Sequence, residues 1–309
     1  MNGKIVLENV SSHREQWLEM RRNKITGTAI TAIAGINPYK SALQLWAEWT
    51  GKVDSKFEGN EYTDLGIALE PYVGSLYARR TGRGVRYIDA LYQHKDLEWA
   101  LATPDFVVDE SELLEVKTGT IRQLEYWQDE NTPEHHAVQL QWQMGVLGIE
   151  KGHVGALIGG DPSNFLVRSF DLNYEIFNVL LELGFEFLDL VKKDEPPNPG
   201  PGDAKLIAKL VQRNNSAKLF TAETADVLGP YFDELIELRE RKGELDAEVR
   251  KIEAQIKLNE NTLKLAAAES SEAAFADGRR YRIKKIECGE KTIPGYSYER
   301  LYILQKGGA

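Results

Sequence analysis

The stretch Ala102–Lys117, ATPDFVVDESELLEVK, constrains the fold of this chain more than any other, because it predicts a β-hairpin. Two short apolar runs, Phe106–Val108 and Leu113–Val116, are separated by an acidic turn at Asp109–Glu112. A hairpin of this kind requires a sheet around it for stability. The chain is therefore expected to contain a sheet into which these two strands fit.

Three ionisable side chains of this hairpin are expected to meet. Side chains alternate between the two faces of a strand, so Glu115 and Lys117 share one face while Val116 points the other way. Asp105 precedes the first strand, and the hairpin could bring it beside Glu115. Two carboxylates and an ammonium at one sheet edge suit metal-assisted phosphodiester hydrolysis. The alternative is a solvated surface pair beside an acidic turn.

Composition limits the other kinds of site. The 309 residues, 42% hydrophobic and 28% charged, can bury a substantial core and hold more than one domain. A single cysteine, Cys288, excludes an intrachain disulfide framework and a four-cysteine zinc or iron–sulfur site, and the five histidines lack zinc-type spacing. No apolar run approaches the length of a membrane span, and the N-terminus has no signal-peptide pattern. We expect a reduced, cytoplasmic protein.

The net charge of −10 argues at first against a nucleic-acid partner, but its distribution matters more. Between Asp96 and Glu134, eleven acids stand against two bases, a net charge of −9. Nearly all of the excess therefore surrounds the proposed site, where cations could offset it. Two basic clusters are available to hold phosphates: Arg14/Arg21/Arg22/Lys24 and Arg79/Arg80/Arg83/Arg86.

Helices are expected before the hairpin. The patterns predict Val10–Arg22 with a cap at Ser11 or Ser12, Thr28–Ala34, a helix after the cap Ser41, and Tyr62–Thr81. The last of these contains Glu70 next to Pro71. A proline inside a helix usually kinks it, so this glutamate could be aimed into a site, although an exposed helix glutamate is the simpler interpretation.

After the hairpin, a helix is expected from about Pro133, carrying Gln139, Gln141 and Gln143 among apolar residues. Strands at His153–Ile158 and Phe165–Phe170 and an amphipathic helix, Tyr174–Lys192, follow. The predicted fold class for residues 1–193 is α/β, a mixed sheet flanked by helices.

The remainder is predicted to form a second part. Residues 194–202, DEPPNPGPG, are interpreted as a linker, and residues 203–309 as a helical arm with a terminal hairpin. After a short helix at Ala204–Gln212 and a cap at Thr221, apolar residues fill heptad positions from about Pro230. This pattern predicts a coiled-coil arm or a long helix laid against the first domain. Strands are predicted at Arg279–Cys288 and Tyr296–Leu304.

The ordered motifs resemble a known family. Glu70, Pro104-Asp105 and Glu115-Val116-Lys117 resemble the PD-(D/E)XK nuclease signature, which implies a restriction-endonuclease-like core. More narrowly, residues 14–150 are similar to the lambda-exonuclease/YqaJ-like viral recombinase family. The similarity is carried by Arg21 with KITGTAITAIAG, then NPYKSALQLWAEWTG, GIALEP, ATPDF, LLEVKTG and AVQLQWQM, in that order.

The resemblance implies roles for these residues. Asp105, Glu115 and the Val116 carbonyl would bind Mg²⁺ or Mn²⁺, with two ions in all and Glu70 on the second ion or its water. Lys117 would position or activate the attacking water, and Gln139 would support the site. The residues implied to bind a 5′-phosphate are Arg21, Thr28 and Thr103. The family usually has serine at the two threonine positions and commonly has tyrosine where Gln143 stands.

By resemblance, the chain would be a 5′-to-3′ exonuclease on linear double-stranded DNA that leaves 3′ overhangs for strand annealing. A single-strand annealing recombinase would be its partner, and a homo-oligomer, a trimer in the family, is expected. If a phage or prophage encodes the chain, it would act in the host cytoplasm. Two alternatives stay open: a structure-specific endonuclease of the same fold, and a non-catalytic DNA- or protein-binding module that uses the helical arm.

Overall fold

A computed structural model describes residues 2–54, 59–211, 218, 221–288 and 296–304. The chain divides into two compact units, Met1–Asn214 and Asn215–Ala309. Within the described residues no helix is both long enough and apolar enough to cross a membrane.

The first unit contains eight strands and seven helices within its described residues. In chain order they are β1 (Lys4–Glu8), α1 (Arg14–Met20), α2 (Gly27–Ile33), α3 (Ala42–Trp49), α4 (Glu61–Thr81), β2 (Val85–Tyr87), β3 (Ala90–Gln93), β4 (Leu101–Ala102), β5 (Phe106–Val108), β6 (Glu112–Gly119), α5 (Glu134–Leu147), β7 (Lys151–Ile158), β8 (Phe165–Asp171), α6 (Tyr174–Lys193) and α7 (Ala204–Leu210). Short 3₁₀ segments lie at Val10–Ser12, Ile121–Trp127 and Pro162–Asn164.

The central sheet has the order β2-β5-β6-β7-β8, and the predicted hairpin forms its β5 and β6. Only the β6–β7 pair is parallel, because α5 makes the crossover between these two strands. The other three pairs are antiparallel. The fold-class prediction, a mixed sheet flanked by helices, is confirmed.

Each face of this sheet packs on its own core. Alternate side chains of β6 go to opposite sides: Leu113 joins the larger core with Leu140 and Trp142 of α5, whereas Leu114 joins a smaller core with Val73 of α4. Helix α4 approaches the sheet closely at Gly74, where an added Cβ would lie 2.6 Å from the Phe106 ring. The helices that frame the hairpin are therefore fixed on both of its faces.

The N-terminal region differs from its prediction. The single helix expected at Val10–Arg22 is instead a 3₁₀ turn followed by α1, because Ser11 bonds Asp89 through its backbone N–H (2.8 Å) and its hydroxyl (2.6 Å) rather than capping a helix. Strands β1, β3 and β4, which the sequence analysis missed, form a small separate sheet. The Ser41 cap is confirmed, with its Oγ accepting from the Gln44 N–H at 3.0 Å.

The boundary between the two units falls after residues 194–202, the stretch interpreted as a linker. Asp203 is buried and accepts hydrogen bonds from the Ser41 hydroxyl (2.6 Å) and the Gly200 N–H (2.7 Å). Helix α7 then packs Leu206 and Ile207 against the larger core. These contacts place 203–210 in the first unit, whereas the sequence analysis assigned them to the arm.

The second unit is built on one helix. Helix α8 (Ala222–Ala267) is 46 residues long and starts well before Pro230, because Thr221 caps it through the Thr224 N–H at 3.3 Å. Strands β9 (Glu272–Ala274), β10 (Arg280–Cys288) and β11 (Tyr296–Leu304) form an antiparallel sheet of order β11-β10-β9. The predicted hairpin is confirmed, with β9 as an additional strand. The Tyr281 hydroxyl donates to the Leu263 carbonyl at 2.9 Å, which joins this sheet to the end of α8.

Candidate active site

Glu115 lies at the centre of the candidate site. Its side chain is 3% exposed, on the face of β6 that packs against α5. One carboxylate oxygen, Oε1, accepts from Lys117 Nζ at 2.5 Å and from Gln139 Nε2 at 2.6 Å. The other, Oε2, accepts from Gln143 Nε2 at 2.8 Å. The buried charge is therefore stabilised by an ammonium and two amides, and the predicted Glu115–Lys117 pair is not a solvated one.

Both amides come from one face of α5. Gln139 and Gln143 are four residues apart, so they lie on the same face of α5, one turn from each other. As the crossover helix between β6 and β7, α5 packs with this face against β6. Gln139 also accepts from Lys117 Nζ at 3.2 Å. Helix α2 passes close behind it, since an added Cβ on Gly27 would lie 2.8 Å from the Gln139 Cγ. The two glutamines thus hold the acid and the lysine in a fixed arrangement.

Gln143 was not among the predicted site residues, because the family commonly has tyrosine there. In the structure its amide binds Glu115, and its Nε2 lies 3.4 Å from the Thr103 carbonyl. Its Oε1 is buried without a hydrogen-bond partner among the described residues. Its spacing of four residues from Gln139 was the available signal.

Asp105 meets β6 across the hairpin. Its Oδ2 accepts from the Val116 N–H at 2.8 Å. Burial raises the pKa of Asp105 well above its ordinary value, and the nearby Glu115 and Glu70 carboxylates add to the rise, while Lys117 and the Val116 hydrogen bond oppose it. The sequence placed Asp105 beside Glu115, and the structure brings them together.

Glu70 reaches the same site from α4. Its pKa is raised from 4.5 to about 6, first by burial and then by the Glu115 carboxylate, with Lys117 acting in the opposite direction. For Lys117, burial would lower the pKa, but Glu115, Asp105 and Glu70 outweigh it and raise the pKa. Three acids distant in the sequence and one amine therefore converge.

The chemistry of this donor set fits a hard divalent cation. All three acids offer oxygen ligands, and the pKa values of Glu70 and Asp105 are raised first by burial and then by the Glu115 carboxylate, so a cation at this site would stabilise their ionised forms. Within the described residues, no three His, Cys, Asp or Glu side chains are arranged as a complete metal-binding group. The oxygens of Glu115 are instead satisfied by Lys117, Gln139 and Gln143.

A second constellation surrounds Arg21, at the end of α1. Its guanidinium stacks 3.9 Å from the centre of the Trp17 ring, and its Nη2 lies 3.5 Å from the Thr26 hydroxyl. Its Nε is buried and has no hydrogen-bond partner in the described part of the chain. Burial, with a smaller effect of Arg14, lowers the pKa of Arg21 to about 10. A buried guanidinium with an unpaired N–H is suited to binding an anion.

The two predicted threonine partners of Arg21 differ. Thr103 is brought near, because the Trp17 ring that stacks on Arg21 also donates through Nε1 to the Thr103 hydroxyl at 3.2 Å. Thr28 is exposed, and its hydroxyl makes no hydrogen bond to a described residue; its backbone carbonyl accepts from Thr31. Thr26, which caps α2, contacts the Arg21 guanidinium instead.

Tyr87 is a further residue at the site that the sequence analysis missed, since strand β2 was not predicted. Its ring is 48% exposed and packs edge-on against Phe106, with centroids 5.5 Å apart. The pKa of Tyr87 is raised by burial and then by the carboxylates of Glu70, Asp89 and Asp105. A cavity of about 630 Å³ is lined by Tyr87, Phe106, Ile67, Pro71 and Glu70, among others, so Glu70 is the acid of the site that borders it.

Two histidines at the start of α5 also border the site. Burial, followed by Lys117 and His135, lowers the pKa of His136 to about 2, and burial and Lys117 also lower the pKa of His135. The His136 ring stacks on Trp127 at 5.7 Å. Both imidazoles are therefore neutral near pH 7. Their position one turn before Gln139 was visible in the sequence, but they were considered only as zinc ligands.

Two of the four arginines clustered at and after the end of α4, Arg83 and Arg86, are paired with acids. Arg83 pairs with Asp109 and Glu112 at 2.7 Å each, and Arg86 binds Glu110 through two nitrogens. These arginines neutralise the hairpin turn, so the expectation that they hold phosphates is not supported by their contacts.

The fold of the core has a counterpart among solved structures. It is similar to that of an alkaline exonuclease, LHK-Exo, from Laribacter hongkongensis, with a TM-score of 0.50, 18% identity, and coverage of 58% of this chain and 93% of that chain. A phage related exonuclease from Haemophilus somnus 129PT matches less well, with a TM-score of 0.44, 13% identity, and coverage of 55% and 96%.

Sequence comparison gives the family. Residues 16–150 match the model of the YqaJ-like viral recombinase domain. Over 261 residues the chain is 30% identical to the uncharacterized protein YqaJ of Bacillus subtilis (strain 168), covering 82% of this chain and 80% of that protein. The chain therefore belongs to the YqaJ-like viral recombinase family, which confirms the predicted resemblance.

Proposed function

We propose that this protein is a divalent-metal-dependent DNA exonuclease that degrades one strand of linear duplex DNA from its 5′ end and leaves a 3′ overhang. The observation that carries the proposal is the buried Glu115–Lys117 pair, faced by Asp105 and Glu70. A binding module has no need of a buried acid and amine held together by two amides. Family membership and the exonuclease-like fold support the same class.

The proposed mechanism assigns one task to each group. Asp105, Glu115, the Val116 carbonyl and Glu70 would hold Mg²⁺ or Mn²⁺, and two ions are proposed. A bound cation supplies Lewis-acid stabilisation of charge on the scissile phosphate. Lys117, whose raised pKa keeps it an ammonium, would orient the attacking water by donating a hydrogen bond from Nζ. Gln139 and Gln143 keep Glu115 oriented through their amides.

End recognition is assigned to the Arg21 constellation. The unpaired Nε of Arg21 and the Thr103 hydroxyl, linked through Trp17, would bind a terminal 5′-phosphate. Such a dianion would restore the hydrogen bonding that the buried guanidinium lacks. Thr28, whose hydroxyl is exposed, would reach the phosphate from the solvent side.

The test compares linear duplexes with a 5′-phosphate or a 5′-hydroxyl and covalently closed circles, each with Mg²⁺ or with EDTA. We expect degradation of the phosphorylated linear duplex in Mg²⁺ only, with release of 5′ label before 3′ label. Cutting of closed circles would favour the endonuclease alternative. Release of 3′ label first would refute the assigned polarity.

A matched pair of variants separates catalysis from folding. Glu115→Gln should abolish hydrolysis, whereas Glu110→Gln, an exposed acid of the same hairpin paired with Arg86, should retain it. Equal activity of both would instead favour the non-catalytic module. The single-strand annealing partner and the trimeric state are proposed from the family resemblance, and co-purification with a candidate annealing protein and light scattering test them.

A further inference from the structure

Helix α8 presents a row of exposed apolar side chains. Eight residues along one side of the helix are each between 41% and 68% exposed: Leu228, Tyr231, Leu235, Leu238, Leu245, Val249, Ile252 and Ile256. A helix of this length gains its stability mainly from packing such a stripe against another surface. The exposed stripe therefore requires an occupant.

The spacing of the stripe identifies what kind of occupant fits. The residues alternate at steps of three and four, which is the a and d pattern of a heptad repeat and the seam of a two-stranded coiled coil. Position a holds Leu228, Leu235, Lys242, Val249 and Ile256, and position d holds Tyr231, Leu238, Leu245, Ile252 and Asn259. A matching helix with the same repeat is carried by a second copy of this chain.

Both polar seam residues are turned towards the edge of the stripe. Lys242 pairs with Asp246 on its own helix at 2.8 Å, and the Asn259 carbonyl oxygen accepts from Gln255 at 2.9 Å. Asp246 and Gln255 flank the seam, so these contacts draw the polar groups outward. The aliphatic stem of Lys242 is left to cover the seam.

We propose that α8 pairs with α8 of a second copy as an antiparallel coiled coil. In this arrangement Leu235 of one copy packs with Ile252 of the other, and Leu238 packs with Val249. Lys242 then meets Leu245 of the other copy, and Asn259 meets Leu228 near the ends. Every layer at the centre contains at least one large apolar side chain.

Flanking charges favour this register. In it, Arg241 faces Glu248 of the other copy, and Arg239 faces Asp246 of the other copy, each pair occurring twice by symmetry. A slip of one heptad in either direction destroys this pattern. A slip in one direction places Glu248 opposite Glu248 of the other copy and Asp246 opposite Asp246 of the other copy. A slip in the other direction places Glu234 opposite Glu248 and Arg241 opposite Arg241.

A parallel pairing is less favourable. It would place Lys242 against Lys242 in the seam and Glu248 against Glu253 of the other copy. Opposite charges would still meet at two pairs, Glu234 with Arg239 and Arg241 with Asp246, but the two like-charge contacts oppose them, whereas the antiparallel register brings no like charges together at the flanking positions. Charge complementarity therefore selects the antiparallel arrangement.

The first experiment measures the mass of the full chain by light scattering. Leu238→Glu with Leu245→Glu places two charges in the seam, and we expect a twofold fall in mass. The matched control is Leu258→Glu with Leu265→Glu, two exposed leucines at the same seven-residue spacing but outside the seam. We expect no change for the control. Equal masses for wild type and the seam variant would overturn the pairing.

The second experiment reads orientation directly, whatever the assembly of the first unit. In a Cys288→Ser background, Leu235→Cys and Ile252→Cys are made as separate proteins, mixed, refolded together and oxidised. Antiparallel pairing predicts a disulfide-linked dimer only in the mixture. In a parallel coil the two positions would be about 25 Å apart, far beyond disulfide reach. Self-linked Leu235→Cys, or no link in the mixture, would overturn the proposal.

Discussion

Replacing Glu70 by glutamine should stabilise the metal-free protein above pH 6. The pKa of Glu70 is raised to about 6, mainly by burial and by the Glu115 carboxylate, so ionisation of Glu70 disfavours the folded state. Below pH 4.5 the group is protonated in folded and unfolded chains alike. The free energy of unfolding of the wild type therefore falls as the pH rises from 4.5 through 6. Glu70→Gln has no ionisable group at this position, so its free energy of unfolding does not include this loss.

The size of the effect follows from the two pKa values. A difference between 4.5 and about 6 corresponds to about 2 kcal/mol at pH 8. Because Glu70 is only partly buried, solvent screening reduces the expected gain to about 1 kcal/mol. The gain should disappear below about pH 4.5.

Tryptophan fluorescence during urea unfolding is the appropriate assay. All six tryptophans lie in the first unit, so the signal follows that unit alone. Free energies of unfolding are measured in EDTA at pH 4 and pH 8 for wild type and Glu70→Gln. A repeat with Mg²⁺ at pH 8 should stabilise wild type more than the variant, because a bound cation offsets the charge that glutamine lacks.

Glu112→Gln is the control of opposite sign. The hydrogen bond from Arg83 lowers the pKa of Glu112 to about 2, with a further contribution from His153. Its carboxylate therefore contributes stability that is present above pH 4.5 and is lost as the pH falls towards 2, so the variant should be less stable at pH 8. If Glu70→Gln also destabilised the protein at pH 8 in EDTA, the proposed crowding of acids would be refuted.

Three further predictions concern the chemistry. Lys117→Ala should reduce single-turnover hydrolysis by about 100-fold or more, since the ammonium that orients the attacking water is removed, and an unchanged rate would contradict its role. Arg21→Ala should remove the preference for a 5′-phosphate over a 5′-hydroxyl. The affinity for Ca²⁺, used in titration calorimetry in place of Mg²⁺, should not change. Equal losses of activity on the two substrates would contradict the assignment. If the exposed Tyr87 ring beside the cavity stacks on a base, Tyr87→Ala should raise the KM for DNA by about 10-fold, whereas Tyr87→Phe, which keeps a ring, should not. Equal KM values for Tyr87→Ala and wild type would exclude stacking.

The strongest local patterns predicted most of the fold. The alternation along the hairpin correctly predicted that Glu115 and Val116 lie on opposite faces, and the cap Ser41 predicted the start of α3 to within a residue. Thr221 was recognised as a cap, but the long helix was expected only from about Pro230, and α8 starts at Ala222. Short strands such as β2 and β4 were missed, because two or three residues carry too little periodicity to be distinguished from a loop. Their pairing depends on partners distant in the sequence.

The same distinction applies to the site. Spacing along β6 was enough to predict the Glu115–Lys117 pair, whereas the role of Gln139 was implied by the family resemblance. Spacing was insufficient for Trp17, which joins Arg21 to Thr103 only because α1 packs near the end of β4. Contacts between separate elements depend on packing, and one sequence does not display them.

The net charge of the segment between Asp96 and Glu134 illustrates why packing decides function here. The sequence shows one block of acids, but the structure divides them by the cations within reach. Asp109, Glu110 and Glu112 contact Arg83 or Arg86, and their pKa values are lowered. Asp105, Glu70 and Glu115 have only one nearby cation among the described residues, Lys117, and the pKa values of Asp105 and Glu70 are raised. The acids at the hairpin turn thus stabilise the fold, whereas Asp105 at the base of the hairpin and Glu70 of α4 are buried near a third carboxylate, and it is this second set to which we assign the proposed metal site.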